Sequence, residues 1–471
     1  MLIECNELKF DKYYRFIKDI IIFIVANVVS KLLQFLLMPF YTTFLTPVTF
    51  GTAELINNFS ELLYPITTLC LYESAFRFAV DLNIDNSKLI STIFRIFIYS
   101  SILGFSLAIF GYYFFEFKLS FFLFFIVYLL SLKNIFAYYA RGKGLSRVFA
   151  ISGIVETSVL CILSIFFIIT MELQTVGYLL AIIFSYLFSI LYLYFKGNIY
   201  KELKKIKIDI RLKRQLLKYS VPLIVYNIMY WINTLSSRYI LLFYTTLMDA
   251  GIYIATVKIT AVINMLQQGV VYSFQLSASR EFYKQNRDVY YSQIIQIFTS
   301  LYFFVATVVI LLMPLFGKSL LRNEFEAGII YLPILIIGAV LNCISGLYGT
   351  LYRVYKNTSQ TIKISAMGAI VNVAFCIYLI PNYGLLGVCI ANVLSYMTQW
   401  IYRIHDVKKF TQLNSNKWIT LLSIILLIIL SINEYIKTNE FNLWSLFIGV
   451  ILIIINLFWF IKIILEILKS N

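Results

Sequence analysis

The sequence predicts an all-α polytopic membrane protein of about fourteen transmembrane helices, arranged as two six-helix lobes in parallel repeat plus two C-terminal helices. Three observations predict it. Of 471 residues, 61% are hydrophobic and 13% charged, more apolar surface than a water-soluble core needs. Apolar runs of about 20 residues, the length that crosses ~30 Å of hydrocarbon, follow one another along the whole chain. Phrases from the first half also return in the second in the same order.

Charged or turn-like breaks cut the chain into spans with cores at 20–41, 49–72, 89–113, 119–139, 148–170, 175–195, 217–241, 250–273, 292–316, 328–350, 362–380, 384–403, 418–434 and 443–465. The lysines and arginines test this division, because basic residues collect on the cytoplasmic side. With the N-terminus inside, thirty of the 39 fall in inside segments. Four (Lys118, Lys318, Arg322 and Lys437) fall outside, and the rest lie within spans. The asymmetry predicts an even number of spans and two cytoplasmic termini. It also accounts for the net charge of +16 without a nucleic-acid partner. Lys9, Lys12, Arg15 and Lys18 precede a span interrupted by Lys31, with no small-residue cleavage site. This reads as a cytoplasmic lead into the first helix, not a cleaved signal.

The densest basic run lies near the middle of the chain and anchors topology on anionic lipid. It divides an N-terminal lobe, 1–195, from a C-terminal lobe, 217–405, with the linker at 196–216 and the last two spans in 406–471. The repeat crosses that linker. FYTT at 40–43 recurs at 243–246, and Gly51 and Gly251 follow, each opening the next helix. GYLLAIIFSY (177–186) and GVCIANVLSY (387–396) share G-x3-A-x3-S-Y, and IVE (154–156) is matched by IVN (370–372). Six spans is an even number, so both halves face the same way about an axis along the membrane normal, a layout known among transporters.

Charge at membrane depth costs ~2.5–3.5 kcal/mol per group on insertion scales and marks functional positions. Glu54, Asn57, Asn58 and Glu61 fall at i, i+3, i+4 and i+7, one stripe of the second span. It either lines a cavity or hydrogen-bonds between helices. Lys31, near the middle of the first span, either pairs with Glu61 or lines the cavity as a cation. Lys258 lies in span 8 and Arg238 in the outer part of span 7. Glu156, in span 5, is a third buried acid, suited to binding a proton or Na⁺ or to a structural hydrogen bond. Snorkelling to the cytoplasmic face accounts for Arg95 and Lys133. The six cysteines are scattered and His405 is the only histidine, so no metal site is predicted. No nucleotide-binding loop is present, so no cofactor is expected beyond a coupling H⁺ or Na⁺.

LLQFLLMPFYTTFLTPVTFGTAEL, PLIVYNIMYWINTLSSRYILLFYTTLMDAGIYIATVKI and YLPILIIGAVLNCISGLYGTLYRVYKNTSQ resemble the polysaccharide flippases. These are the Wzx-type O-antigen or capsule repeat-unit transporters of the MATE-like MOP superfamily. The resemblance runs over most of the chain, best from about 18 to 405. It implies a non-enzymatic, monomeric transporter of undecaprenyl-pyrophosphate-linked oligosaccharide in the bacterial inner membrane. It would work beside the polymerase or ligase of the same pathway. By position, Lys31, Lys258 and Arg238 would serve the cationic cavity. The family often has an acidic residue before the arginine that ends span 7; here the stretch reads Ser236-Ser237-Arg238-Tyr239. Two other functions are weighed: a MATE-type drug/cation antiporter, which would favour an acidic cavity and twelve spans, and a membrane polysaccharide polymerase or ligase, which would need a large outer loop.

Overall fold

The computed structural model describes residues 29–81, 84–116, 118–203, 209–283, 285–355, 357–413, 417–436 and 442–470. Every regular element among them is helical. The helices are α1 (Met38–Phe44), α2 (Pro47–Thr67), α3 (Leu71–Ala79), α4 (Asn86–Phe114), α5 (Ser120–Gly142), α6 (Ser146–Ile165), α7 (Gln174–Lys196) and α8 (Ile199–Leu203). They continue with α9 (Ile210–Tyr244), α10 (Leu247–Glu281), α11 (Arg287–Leu320), α12 (Leu332–Val354), α13 (Thr358–Val407), α14 (Lys417–Ile436) and α15 (Leu443–Ser470). A π turn, Phe166–Thr170, ends α6, and a 3-10 segment, Asn323–Tyr331, leads into α12. Residues 29–36 are also helical.

Ten helices among the described residues are long and apolar enough to cross a membrane, and the chain is a multi-pass membrane protein. One of the ten, α13, holds two expected spans. Gly384 breaks it with φ 51° and ψ −126°, a left-handed conformation that costs a residue with a Cβ far more than glycine. The two long helices outside the ten are α2 and α9, which carry the acidic stripe and part of the basic run. Every expected span from the second to the fourteenth therefore has its helix. The first, 20–41, is described from residue 29 on, where it is helical through residue 36 and again in α1.

Local chemistry sets the helix ends. Thr46 and Thr49 exchange hydrogen bonds at the start of α2, amide to hydroxyl at 3.0 and 3.2 Å, and Pro47 supplies the first helical residue, where its missing N–H costs nothing. At the start of α10, Thr246 and Asp249 form a capping box. One expected span is interrupted. Span 2 stops after Thr67, and Leu69 and Cys70 take left-handed φ of 53° and 52° before α3 begins.

The chain forms two compact units. The first comprises Met1–Leu37 and Thr52–Ile228. Its core joins α3, α4, α5 and α7 through Leu71, Ala75, Ile90, Ile93, Tyr139 and Leu193, all fully buried. The second comprises Met38–Gly51 and Met229–Asn471, with α12 at its centre and α10, α11, α13 and α14 around it. Within this second unit the two glycines of the repeat meet. A Cβ on Gly51 would stand 2.9 Å from the Cα of Gly251, and one on Gly251 would stand 2.0 Å from the Pro47 carbonyl oxygen. The recurring glycines are what lets the first turns of α2 and α10 touch backbone to backbone. Cys70, Cys343, Cys376 and Cys389 are buried free thiols and act as small apolar residues.

Candidate functional site

The polar stripe of α2 is graded. Glu54 is 2% exposed and Asn58 4%, Asn57 is half-buried and Glu61 is exposed. Two tyrosines eight residues apart on one face of α7 meet the stripe. The Tyr178 hydroxyl donates to Glu54 Oε1, and the Tyr186 hydroxyl reaches Asn57 Oδ1 at 3.5 Å. A hydrogen bond to a charged group stabilises by ~1.5–3 kcal/mol, and burial this complete demands one. The carboxylates of Glu54, Glu61 and Glu156 all act electrostatically on the Tyr186 hydroxyl, so the three predicted acids share one neighbourhood around that ring.

Glu156 is held by a partner that sequence reasoning assigned elsewhere. Lys133 does not snorkel. Its Nζ donates to Glu156 Oε2 at 3.0 Å and Oε1 at 3.2 Å, and the two side chains are only 14% and 22% exposed. The same Nζ lies 4.8 Å from the centre of the Tyr186 ring, a cation–π contact. The physical reason is hairpin geometry. α5 and α6 run antiparallel through a turn at Gly144, which has φ 78°. Residues equally far from that turn share a depth, and Lys133 and Glu156 are nearly equidistant from it. A lysine with a carboxylate at its own depth gains more by pairing than by stretching to the interface. The spacing was present in the sequence; only the tightness of the turn was needed to use it.

Beside this pair lies a pocket of about 140 Å³, bordered by Lys133, Asn134, Glu156, Gly153 and Ser30. Lys31, one residue beyond Ser30, is half-buried. It makes no ion pair with any other described residue, so of its two expected roles the bridge to Glu61 is not formed.

The second unit carries the other predicted cations. Lys258, on α10, sits with Nζ 5.2 Å from the centre of the Phe50 ring. Arg238, on α9, is half-buried and acts electrostatically on the hydroxyls of Tyr253 and Tyr396. Next to it runs a buried amide chain that the sequence did not single out. Ser237 Oγ donates to Asn372 Oδ1 at 2.8 Å, Asn372 Nδ2 to Asn392 Oδ1 at 3.0 Å, and Asn392 Nδ2 to the Tyr253 hydroxyl at 2.7 Å. The repeat held its signal. Asn372 is the counterpart of Glu156, so the same place is ionic in one unit and a neutral amide in the other.

The family described as polysaccharide biosynthesis protein matches residues 16–274. Comparison with curated protein sequences found no match. Among solved structures, the chain is similar to the lipid II flippase MurJ in an inward closed conformation, with TM-score 0.70 and 16% identity over 96% of this chain and 99% of that one. It is similar to an inward-facing multidrug resistance MATE family transporter of the MOP superfamily, with TM-score 0.65 and 13% identity over 83% of this chain and 100% of that one. A third similar structure is a MOP superfamily transporter from Pyrococcus furiosus described as having a binding pocket of reverse polarity, with TM-score 0.56 and 13% identity over 83% and 96%. At these identities the likeness is one of fold: the chain folds as the flippases and transporters of the MOP superfamily do.

Proposed function

Because this chain belongs to the polysaccharide biosynthesis protein family, we propose that it is a flippase of undecaprenyl-pyrophosphate-linked oligosaccharide repeat units. It carries them across the bacterial inner membrane by alternating access, with both termini cytoplasmic. Family membership is the observation that carries the reading. The chemistry of the job agrees with it. An unpaired phosphate buried in ~30 Å of hydrocarbon costs tens of kcal/mol in a Born estimate, and fixed cations at membrane depth lower that cost. Lys31, Lys258 and Arg238 are the counter-charges in this proposal. Glu54, Glu61 or Glu156, on the polar face shared with Asn57 and Asn58 or beside it, couples the cycle to H⁺ or Na⁺. The polyprenyl chain stays in lipid throughout.

Proteoliposomes loaded with a fluorescent lipid-linked oligosaccharide and a leaflet-specific quencher test the proposal. Wild-type protein accelerates translocation, and Lys258→Gln slows it by about tenfold, the loss of one ~1.4 kcal/mol interaction with the passing headgroup. Absence of wild-type translocation would refute the flippase reading. Glu→Gln changes at positions 54, 61 and 156, taken singly, identify the coupling group by loss of ion dependence. The acidic stripe on α2 supports a second reading, a drug/cation antiporter. Cation efflux from expressing cells, with no movement of the lipid-linked substrate, would favour it.

A further inference from the structure

The geometry points to a seat for one neutral sugar ring in the pocket between α5 and α6, an inference that rests on the flippase reading above and names a part of the carried glycan. The pocket measures about 140 Å³. At ~10–15 Å³ of such space per water-sized body, it takes roughly ten. That is enough for a single hexose ring.

Its walls combine what a pyranose needs. The ammonium of Lys133 and the carboxylate of Glu156 lie side by side. Asn134 and Ser30 add an amide and a hydroxyl. Tyr138 and Phe149 form an apolar corner, with ring centres 6.3 Å apart and planes at 86°. A few convergent polar groups set against aromatic walls are the usual composition of a small-molecule site.

The ion pair decides the charge of the occupant. An anion such as phosphate would have to draw Lys133 away from Glu156. Breaking a buried pair and leaving a lone charge is strongly unfavourable, and the pair already satisfies both charges. A neutral polyol asks for no such separation. The ammonium keeps an unused donor and the carboxylate keeps free lone pairs, so one ring can accept from Lys133 and donate to Glu156 while the pair stays closed. Gly153 keeps the floor open. A Cβ there would meet only Ser30 Oγ, at 3.8 Å, so alanine fits and a longer side chain would enter the pocket.

The test uses purified full-length protein in a detergent without sugar head groups. Saturation-transfer NMR is run with a panel of neutral hexoses, 6-deoxyhexoses and N-acetylhexosamines, alongside a hexuronic acid and inorganic pyrophosphate. At least one neutral sugar binds saturably. Gly153→Leu weakens it by at least about tenfold, and Gly153→Ala leaves it near the wild-type value. Asn134→Leu, which removes a polar contact without filling the floor, weakens it several-fold and serves if Gly153→Leu does not fold. Binding of no neutral sugar, wild-type affinity in Gly153→Leu or in Asn134→Leu, or preference for a charged probe overturns the inference. The proteoliposome assay separates the two levels. Wild-type translocation with no sugar bound here removes only the pocket, whereas absent translocation removes the flippase reading itself.

Discussion

Alanine at Gly251 is a stringent test of the packing. Its Cβ would fall 2.0 Å from the Pro47 carbonyl oxygen and 2.7 Å from the carbonyl carbon. Both atoms are backbone, so no rotamer relieves the clash, and the two first turns must part by about 1 Å merely to reach 3.0 Å. A radial gap of that size forfeits roughly a quarter to a half of the contact energy of the atoms lining it. Overpacking of this kind costs ~1–3 kcal/mol, and backbone against backbone belongs at the upper end. The gain in helix propensity from glycine to alanine returns about 1 kcal/mol. The net expectation is destabilisation by ~2 kcal/mol. Gly269→Ala is the control, because no atom lies within 4 Å of its Cβ. Only propensity acts there, and stability rises by up to about 1 kcal/mol. Two chemically identical changes on α10 should therefore differ by ~3 kcal/mol in opposite directions. Reversible unfolding in bicelles, followed by tryptophan fluorescence, measures the difference. Gly251→Ala as stable as Gly269→Ala would mean that α2 and α10 do not touch at these glycines.

Other outcomes follow from the same geometry. Lys133→Met leaves Glu156 unpaired and destabilises by ~3 kcal/mol, whereas Lys133→Met with Glu156→Gln recovers most of the loss; a double mutant no more stable than the single change would show that the pair is not coupled. Tyr178→Phe removes the donor to Glu54 and costs ~1.5–3 kcal/mol, measured by the same unfolding assay, with an unchanged midpoint counting against the bond. Thr246→Ala abolishes the capping box and costs about 1 kcal/mol, while Thr245→Ala, one residue earlier, costs less. Lys409, beyond the end of α13, has its pKa raised above 10.5 by hydrogen bonding to Asp406. A group raised in the folded state contributes below its unfolded pKa and loses that contribution as pH rises through the folded one. The stability difference between wild type and Lys409→Gln should thus be flat through neutral pH and shrink in strong alkali. It should shrink again in acid, where protonation of Asp406, whose pKa Lys409 lowers, removes the partner; pH-resolved unfolding will register both limbs.

The helices were legible because each apolar run had to be about as long as the bilayer is thick, whatever its neighbours. The polar stripe was legible for a related reason: Glu54, Asn57, Asn58 and Glu61 share a helix face by spacing alone. What that face meets is tertiary, and no local pattern announces Tyr178 or Tyr186 as its partners. The interruption at Leu69 and Cys70 also escaped notice, since two left-handed residues without glycine leave no compositional mark. The place of Lys133 near a cytoplasmic helix end suggests snorkelling; its pairing with Glu156 follows from their nearly equal distance to the turn at Gly144, which no local pattern displays. Asn372 was visible only as a repeat match, and its role depends on Ser237 and Asn392, which lie far off in sequence.

The short connection from α5 to α6 bears on biogenesis. Taken one at a time, a span with Lys133 and a span with Glu156 would each enter lipid carrying an insertion penalty of ~2.5–3.5 kcal/mol at worst. Joined by a turn of three residues, Lys143–Leu145, they can neutralise each other before either leaves the translocon. The two spans are built to be delivered as one hairpin, and lengthening their loop should slow their integration even if the finished protein is unchanged.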